Sequence, residues 1–349
     1  MNLESLDNVA IVGATGAVGR EMIKCLYRLK YPVKSLFLFA SQNSRGTEIE
    51  TPPGEKLTVA EFSVESILTH NCRIVLMAVS GTFSEQYTPA LVEAGCIVID
   101  NSSAFRYKEN VPLVVPDLNG AVLTKSLLLN GAIVANPNCT TAISAMVLYP
   151  LHKRFGGIKR MIASTYQAAS GAGEAGMAEL SSAITARSRG EPFTPKIFSH
   201  DLCSNVIPCI DVVQENLYTK EEMKLVWESR KIFNASSMDI SCTAVRVPTM
   251  RAHCISATIE FFDPVDVEQV RSVLTQSPGV VVVDDPVNKV YPVPAEASGK
   301  DNVYVGRIRR NLAFGQNGID VFICGDQLLR GAALNAVEIA LLVRRVLLA

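Results

Sequence analysis

The sequence predicts an α/β chain: a doubly wound, mainly parallel sheet in the N-terminal part, followed by a second, α+β domain. Three observations predict it. Residues 8–135 alternate short apolar strands with helical runs; a glycine-rich turn joins the first strand to the first helix; and from residue 158 the pattern changes to longer strands rich in β-branched residues. With 349 residues and an apolar content of 48%, the chain is too long for one core and can fill two.

The first strand, residues 8–12, leads into Gly13-Ala14-Thr15-Gly16-Ala17-Val18-Gly19 and then a helical run over residues 20–29. Glycines three residues apart let the backbone bend tightly and let a pyrophosphate approach bare N–H groups at a helix N-terminus. Gly13, Thr15, Gly16, Ala17 and Val18 are therefore candidate dinucleotide contacts, the alternative being a ligand-free turn. The second strand, residues 35–40, ends in Ser41-Gln42-Asn43-Ser44-Arg45-Gly46 rather than in an acidic residue. A carboxylate there would bind a ribose 2′-OH and repel a 2′-phosphate, whereas Ser41, Ser44 and Arg45 accept the phosphate, so NADP is favoured over NAD. Arg45 as a solvated loop charge is the competing reading.

Strands at 73–78, 96–100 and 133–135, with helical runs such as 83–94 between them, complete the doubly wound pattern. The strand ending at Asp100 runs into a loop carrying Arg106, at the carboxyl end of the sheet where ligands gather; it is either an anion ligand or a surface charge. In ANPNCTT, residues 135–141, a proline-bounded turn hands directly into a helix, so the sulfur of Cys139 should lie at a helix N-terminus, where unpaired N–H groups stabilise a thiolate.

The second domain is expected to hold a largely antiparallel sheet, with strands at 161–166, 243–248 and 254–261. Glu221 and Lys224, three residues apart, share a helix face and read from spacing alone as a solvated pair. Arg246 and His253 flank Pro248, which should break a regular strand, and His253 is either a base or a structural histidine. The last segment, from Gly331, is an apolar-faced helix expected to return to the first domain. The division is then 1–137 with 330–349 as the NADP-binding domain, and 138–329 as the catalytic, substrate-binding and dimerisation domain.

A net charge of -1, from 33 basic and 34 acidic residues with no like-charge block, gives no footprint for nucleic acid or an anionic membrane. A small-molecule substrate is the better expectation. The opening lacks the pattern of a signal peptide and no apolar run approaches about 18 residues, so a cytoplasmic protein is expected. Nine scattered cysteines without a C-x-x-C pair suggest reduced thiols, mostly in the core, and no metal site.

Taken together, VGATGAVG (12–19), DNSSAFR (100–106), VPLVVPDLN (111–119), NPNCTT (136–141), STYQAASGAG (164–173), NVIPCIDV (205–212), YTKEEMK (218–224), RVPTMRAH (246–253), VGRIRRNL (305–312) and GDQLLRGAALN (325–335) resemble, in order and spacing, the aspartate-semialdehyde dehydrogenase family over essentially the whole chain. The resemblance implies a Rossmann-like first domain and reductive dephosphorylation of aspartyl phosphate by NADPH, a step towards lysine, methionine and threonine. It implies that Cys139 forms an acyl-thioester, that His253 is its acid/base, and that Gln167 positions the substrate. It further assigns Arg246 to the substrate carboxylate, Glu221 to its ammonium, and Arg106 with Lys224 to the phosphate. Gly173 and Gln327 join the cofactor side, and a homodimer or homotetramer is implied, with its interface in the second domain.

Four positions depart from the common pattern: Asn43 for an arginine, Asp117 for a glutamate, Cys209 for a glutamine, and Gln327 for an asparagine that usually lies near the nicotinamide. N-acetyl-glutamyl-phosphate reductase is the mechanistic neighbour, but its substrate amine is acylated, whereas Glu221 offers a partner for a free ammonium and Asn138 fits the aspartate enzyme. Retention of nucleophile, base and both anion sites argues against an inactive dinucleotide sensor.

Overall fold

A computed structural model describes residues 7–349; residues 1–6, the first part of the opening read above, lie outside the described residues. The chain divides into two compact units, one running to Asn138 and completed by Ala332–Ala349, the other Cys139–Gly331.

In chain order the first unit contains β1 (Asp7–Val12), α1 (Ala17–Arg28), β2 (Val33–Ala40), β3 (Glu48–Glu50), β4 (Lys56–Thr58), β5 (Ala60–Glu61), α2 (Val64–Thr69), β6 (Ile74–Met77), α3 (Gly81–Glu93), β7 (Ile97–Asp100), α4 (Pro116–Asn119), α5 (Lys125–Leu128) and β8 (Ala132–Ala135). Strands β5-β2-β1-β6-β7-β8 form one sheet in which every pairing is parallel. Strands β1, β6 and β7 read as almost unbroken apolar runs because a parallel sheet is covered on both faces. One face packs Val12, Phe39, Val75, Met77 and Val98 against Ile67 and Leu91 of α2 and α3.

The second unit follows with α6 (Cys139–Arg154), β9 (Ile158–Gln167), α7 (Gly173–Ser188), α8 (Lys220–Phe233), β10 (Asp239–Arg246), β11 (His253–Phe261), α9 (Val267–Gln276), β12 (Val280–Val282), α10 (Pro294–Ala297), β13 (Val303–Arg310) and β14 (Gly318–Gly325). Its sheet, in order β10-β9-β11-β14-β13-β12, is mixed rather than largely antiparallel. The central pairings β9–β11, β11–β14 and β13–β14 are antiparallel, while the edge pairings β10–β9 and β12–β13 are parallel. The β9–β10 connection is long enough to cross over through α7 and α8, which is what a parallel neighbour requires. Helix α6 packs on β9, β11, β13 and β14, with α8 and α9 beside it.

A single π turn, Leu329–Ala333, leads into α11 (Leu334–Leu348), which packs against α1, β6 and β7. Helix α11 lies in the first unit. Among the described residues no helix is long and apolar enough to cross a membrane. Cys25, Cys72, Cys96, Cys242, Cys254 and Cys324 are buried, and none of the nine cysteines is in a disulfide.

Candidate active site

In the first unit the β1–α1 turn is built for close approach. Gly13 has φ +85°, and a Cβ there would lie 2.2 Å from the carbonyl oxygen of Ala78, so no L side chain fits. Gly16 is the N-cap of α1 and makes no side-chain capping hydrogen bond, which leaves the first N–H groups for an anion. A cavity of about 500 Å³ opens there, lined among others by Gly13, Thr15, Gly16, Ser41, Ser80 and Glu61. The hydroxyls of Thr15 and Ser44 lie 3.4 Å apart, fixing the turn after β2 against the glycine turn. Arg45 is exposed, 3.9 Å from Glu61. This cradle fits a dinucleotide.

Arg106, also in the first unit, is a buried cation and not a surface charge, at 5% exposure. Its Nε donates to Asn136 O at 2.8 Å and its Nη2 to Asn101 O at 2.7 Å, which locks the guanidinium plane. The loop approaching Cys139 is held as well, because Asn335 donates to Asn136 Oδ1 at 2.7 Å and to Val114 O at 3.0 Å.

The second unit gathers the remaining residues. Cys139 is the first residue of α6, as its sequence predicts. Gly331 packs directly on it: a Cβ at 331 would stand 2.7 Å from Cys139 Cβ and 3.0 Å from its Cα. Gln167 and Arg246 end the neighbouring strands β9 and β10 in register with each other. Gln167 accepts from Thr165 Oγ1 at 3.0 Å and donates to Glu221 Oε1 at 3.1 Å. Glu221 Oε2 in turn accepts from Lys224 Nζ at 2.8 Å, and Asp211 Oδ2 accepts from the same ammonium at 2.9 Å.

The solvated pair suggested by spacing is therefore buried, the Glu221 and Lys224 side chains being 8% and 13% exposed. A capping box explains their placement. Glu222 receives Thr219 N–H at 2.6 Å and Ala244 N–H at 2.9 Å, pinning the first turn of α8 to β10. Burial alone would lower the Lys224 ammonium, but the Glu221 and Asp211 carboxylates outweigh it and hold it above its ordinary value.

Arg246 Nη1 donates to Ala168 O at 2.6 Å, and the guanidinium carbon lies 5.8 Å from the centre of the Phe198 ring. Burial lowers it from its ordinary value, with the charges of Glu221 and Cys139 opposing that shift. His253, fully buried, opens β11. Its Nδ1 accepts the Ala168 N–H at 3.1 Å, so the neutral ring carries its proton on Nε2. That buried Nε2 has no hydrogen-bond partner among the described residues, and it would lie 3.3 Å from a Cβ at Gly171. One residue, Ala168, thus orients both Arg246 and His253. Burial, then the Arg246 charge, push the imidazole down to about 3, so it is neutral at physiological pH.

Ala168, Gly171, Asp211 and Phe198 were not singled out from the sequence. Ala168, Gly171 and Asp211 lie inside quoted motifs, but none of these residue types advertises its contact. Gly173 opens α7 with φ +72° and no atom within 4 Å of a Cβ position. Gln327, 2% exposed, accepts from Ala252 N–H at 2.9 Å through Oε1 and donates to Ser170 Oγ through Nε2.

A glycine-turn dinucleotide cradle in one unit, and a cysteine at a helix N-terminus with a buried histidine, arginine and carboxylate in the other, define a dehydrogenase that works through a thiol. Residues 8–126 match the family described as semialdehyde dehydrogenase, NAD binding domain, and residues 148–330 match semialdehyde dehydrogenase, dimerisation domain. The chain is 41% identical to the aspartate-semialdehyde dehydrogenase of Synechocystis sp. over 97% of each chain, and 42% identical to that of Bacillus subtilis over 95% of this chain and 96% of the other. It superposes with TM-score 0.91 on the crystal structure of aspartate semialdehyde dehydrogenase II complexed with ASA from Vibrio cholerae, at 38% identity and covering 98% and 99% of the two chains. The chain belongs to the aspartate-semialdehyde dehydrogenase family.

Proposed function

We propose that this enzyme catalyses the NADPH-dependent reductive dephosphorylation of L-aspartyl 4-phosphate to L-aspartate 4-semialdehyde through an acyl-thioester on Cys139. The observation that carries the reading is the buried pairing of opposite charges around one site: Arg246, fixed by Ala168, and Glu221, fixed by Gln167 and Lys224. A free amino acid carries a carboxylate for the first and an ammonium for the second. A substrate with an acylated amine brings no positive charge for the Glu221 carboxylate to meet, which disfavours the N-acetyl-glutamyl alternative.

Cys139 attacks the acyl carbon as a thiolate, favoured by the α6 N-terminus and by the Arg246 charge. Phosphate departs towards the cations we assign to it, Arg106 and Lys224. The chemistry that NADPH supplies when bound is a hydride. Gly13, Thr15, Gly16, Ala17 and Val18 would hold its pyrophosphate, Ser41, Ser44 and Arg45 its 2′-phosphate, and Gly173 leaves open backbone for it in the second unit. An exposed Arg45–Glu61 pair is weak, so Arg45 is readily recruited to a phosphate. The Nε2–H of His253 donates to the charge that develops at the acyl oxygen, and Gln167 steadies Glu221. The thioester divides one difficult displacement into phosphate loss and reduction.

We further propose a homodimer or homotetramer assembled through the second unit, working in the cytoplasm on the path to lysine, methionine and threonine. Purified protein should oxidise aspartate semialdehyde with NADP in a phosphate-dependent manner, more efficiently than with NAD. Preference for N-acetyl-glutamate semialdehyde would overturn the assignment.

A further inference from the structure

We propose that Asp211 is a positioning residue that acts through Lys224 to set the charge balance of the site, favouring a substrate with a free ammonium and weakening the hold on phosphate; the proposal rests on the catalytic reading above. The stretch that carries Asp211 is fixed at both ends. Ile207 exchanges two backbone hydrogen bonds with Arg246, its N–H donating to Arg246 O at 2.9 Å and its O accepting Arg246 N–H at 2.8 Å. Val212 O accepts the Lys220 N–H at 2.8 Å, which ties the stretch to the first turn of α8. Asp211 lies between these ties with φ +72°, a left-handed conformation that a non-glycine residue holds only when its surroundings impose it. Its Oδ1 accepts the Val212 N–H at 2.8 Å, and its Oδ2 is turned to Lys224.

Glu221 by itself is outnumbered by cations. It meets the Lys224 ammonium directly and the Arg246 guanidinium through its field, while Glu222 on the same turn is directed at the N–H groups of Thr219 and Ala244. Asp211 is the second carboxylate on Lys224. With it, two carboxylates match two cations, and an incoming ammonium meets a Glu221 whose charge is not cancelled. Without it, Glu221 and Lys224 neutralise each other beside an uncompensated Arg246, an arrangement that attracts anions and repels an ammonium. An ammonium has three N–H donors, and Asp211 and Glu221 take two of those of Lys224, which leaves the third for a phosphate oxygen. The carboxylate that frees Glu221 for the substrate amine therefore also opposes the phosphate.

The test is Asp211→Asn, which keeps the shape and removes the charge; asparagine tolerates the left-handed conformation. In the oxidation of aspartate semialdehyde, KM for aspartate semialdehyde should rise and KM for phosphate should fall, each roughly three- to tenfold, the scale of a partly screened charge. A residue that only held the fold together would weaken both. Calorimetric titration of the NADP complex with inorganic phosphate needs no turnover, and there Asp211→Asn should bind phosphate roughly three- to tenfold more tightly than the wild type. That readout tests Asp211 even if the wild type fails to oxidise aspartate semialdehyde and the catalytic reading falls. Phosphate bound no more tightly by Asp211→Asn would overturn the proposal, as would an unchanged or lower KM for aspartate semialdehyde in the active variant. If Asp211→Asn does not fold, Asp211→Gly, which relieves the left-handed backbone, is read in the same way.

Discussion

Ala168 donates its N–H to His253 and accepts from Arg246 through its carbonyl, so the substrate grip and proton donation we propose for them depend on one piece of backbone. A guanidinium offers a planar fork that an ammonium cannot imitate. Arg246→Lys should therefore lower kcat/KM for aspartate semialdehyde by about 10- to 100-fold, the worth of a charged hydrogen bond, while NADPH binding is retained; unchanged kcat/KM would remove Arg246 from the carboxylate role. For His253 the sign of the pH effect follows from its depressed value. The imidazole titrates near 6.5 in the unfolded chain and near 3 in the folded one, so between those values the unfolded state binds the extra proton. Its contribution to stability is intact above about 6.5 and is lost progressively as the pH falls towards about 3. Ring NMR signals of His253 should accordingly stay fixed from about pH 8 to pH 5; a titration centred near neutrality would contradict the burial argument.

At the scale of elements, the N-terminus of α6 and the π turn before α11 define where the Cys139 sulfur can be. Gly331 leaves no room for a methyl group above Cys139. Gly331→Ala should displace the cysteine, cutting turnover by roughly 10- to 100-fold, as misplacement of a reacting atom by about 1 Å does, with little change in NADPH affinity. Activity equal to the wild type would show that the turn yields instead. The address of Cys139 and the glycine turn after β1 were legible in the sequence because both are local: a few consecutive residues dictate the backbone. The contact between Gly331 and Cys139 was not, since it depends on residues far apart in the chain. Nor was the burial of Glu221 and Lys224, whose spacing is that of any surface pair; what buries them is the Glu222 bond to Ala244 on another element. Asp211, the second carboxylate on Lys224, sits in an irregular stretch with φ +72°, a conformation no periodicity announces.

For the whole molecule, alternation of strand and helix was enough to predict the parallel first sheet, because successive crossovers leave few arrangements. The second sheet was harder. β-branched composition fits antiparallel and parallel neighbours equally, and only the crossover through α7 and α8 makes the β9–β10 edge parallel. In the reaction we propose, Cys139 carries the acyl group and phosphate, not water, releases it. The most direct measurement mixes enzyme, aspartate semialdehyde and NADP with phosphate withheld and follows NADPH formation in the wild type and in Cys139→Ala. The wild type should give a burst equal to the enzyme subunits, with steady turnover only once phosphate is added, and Cys139→Ala should give neither while still binding NADPH. Sustained turnover without phosphate, or a burst in Cys139→Ala, would contradict it.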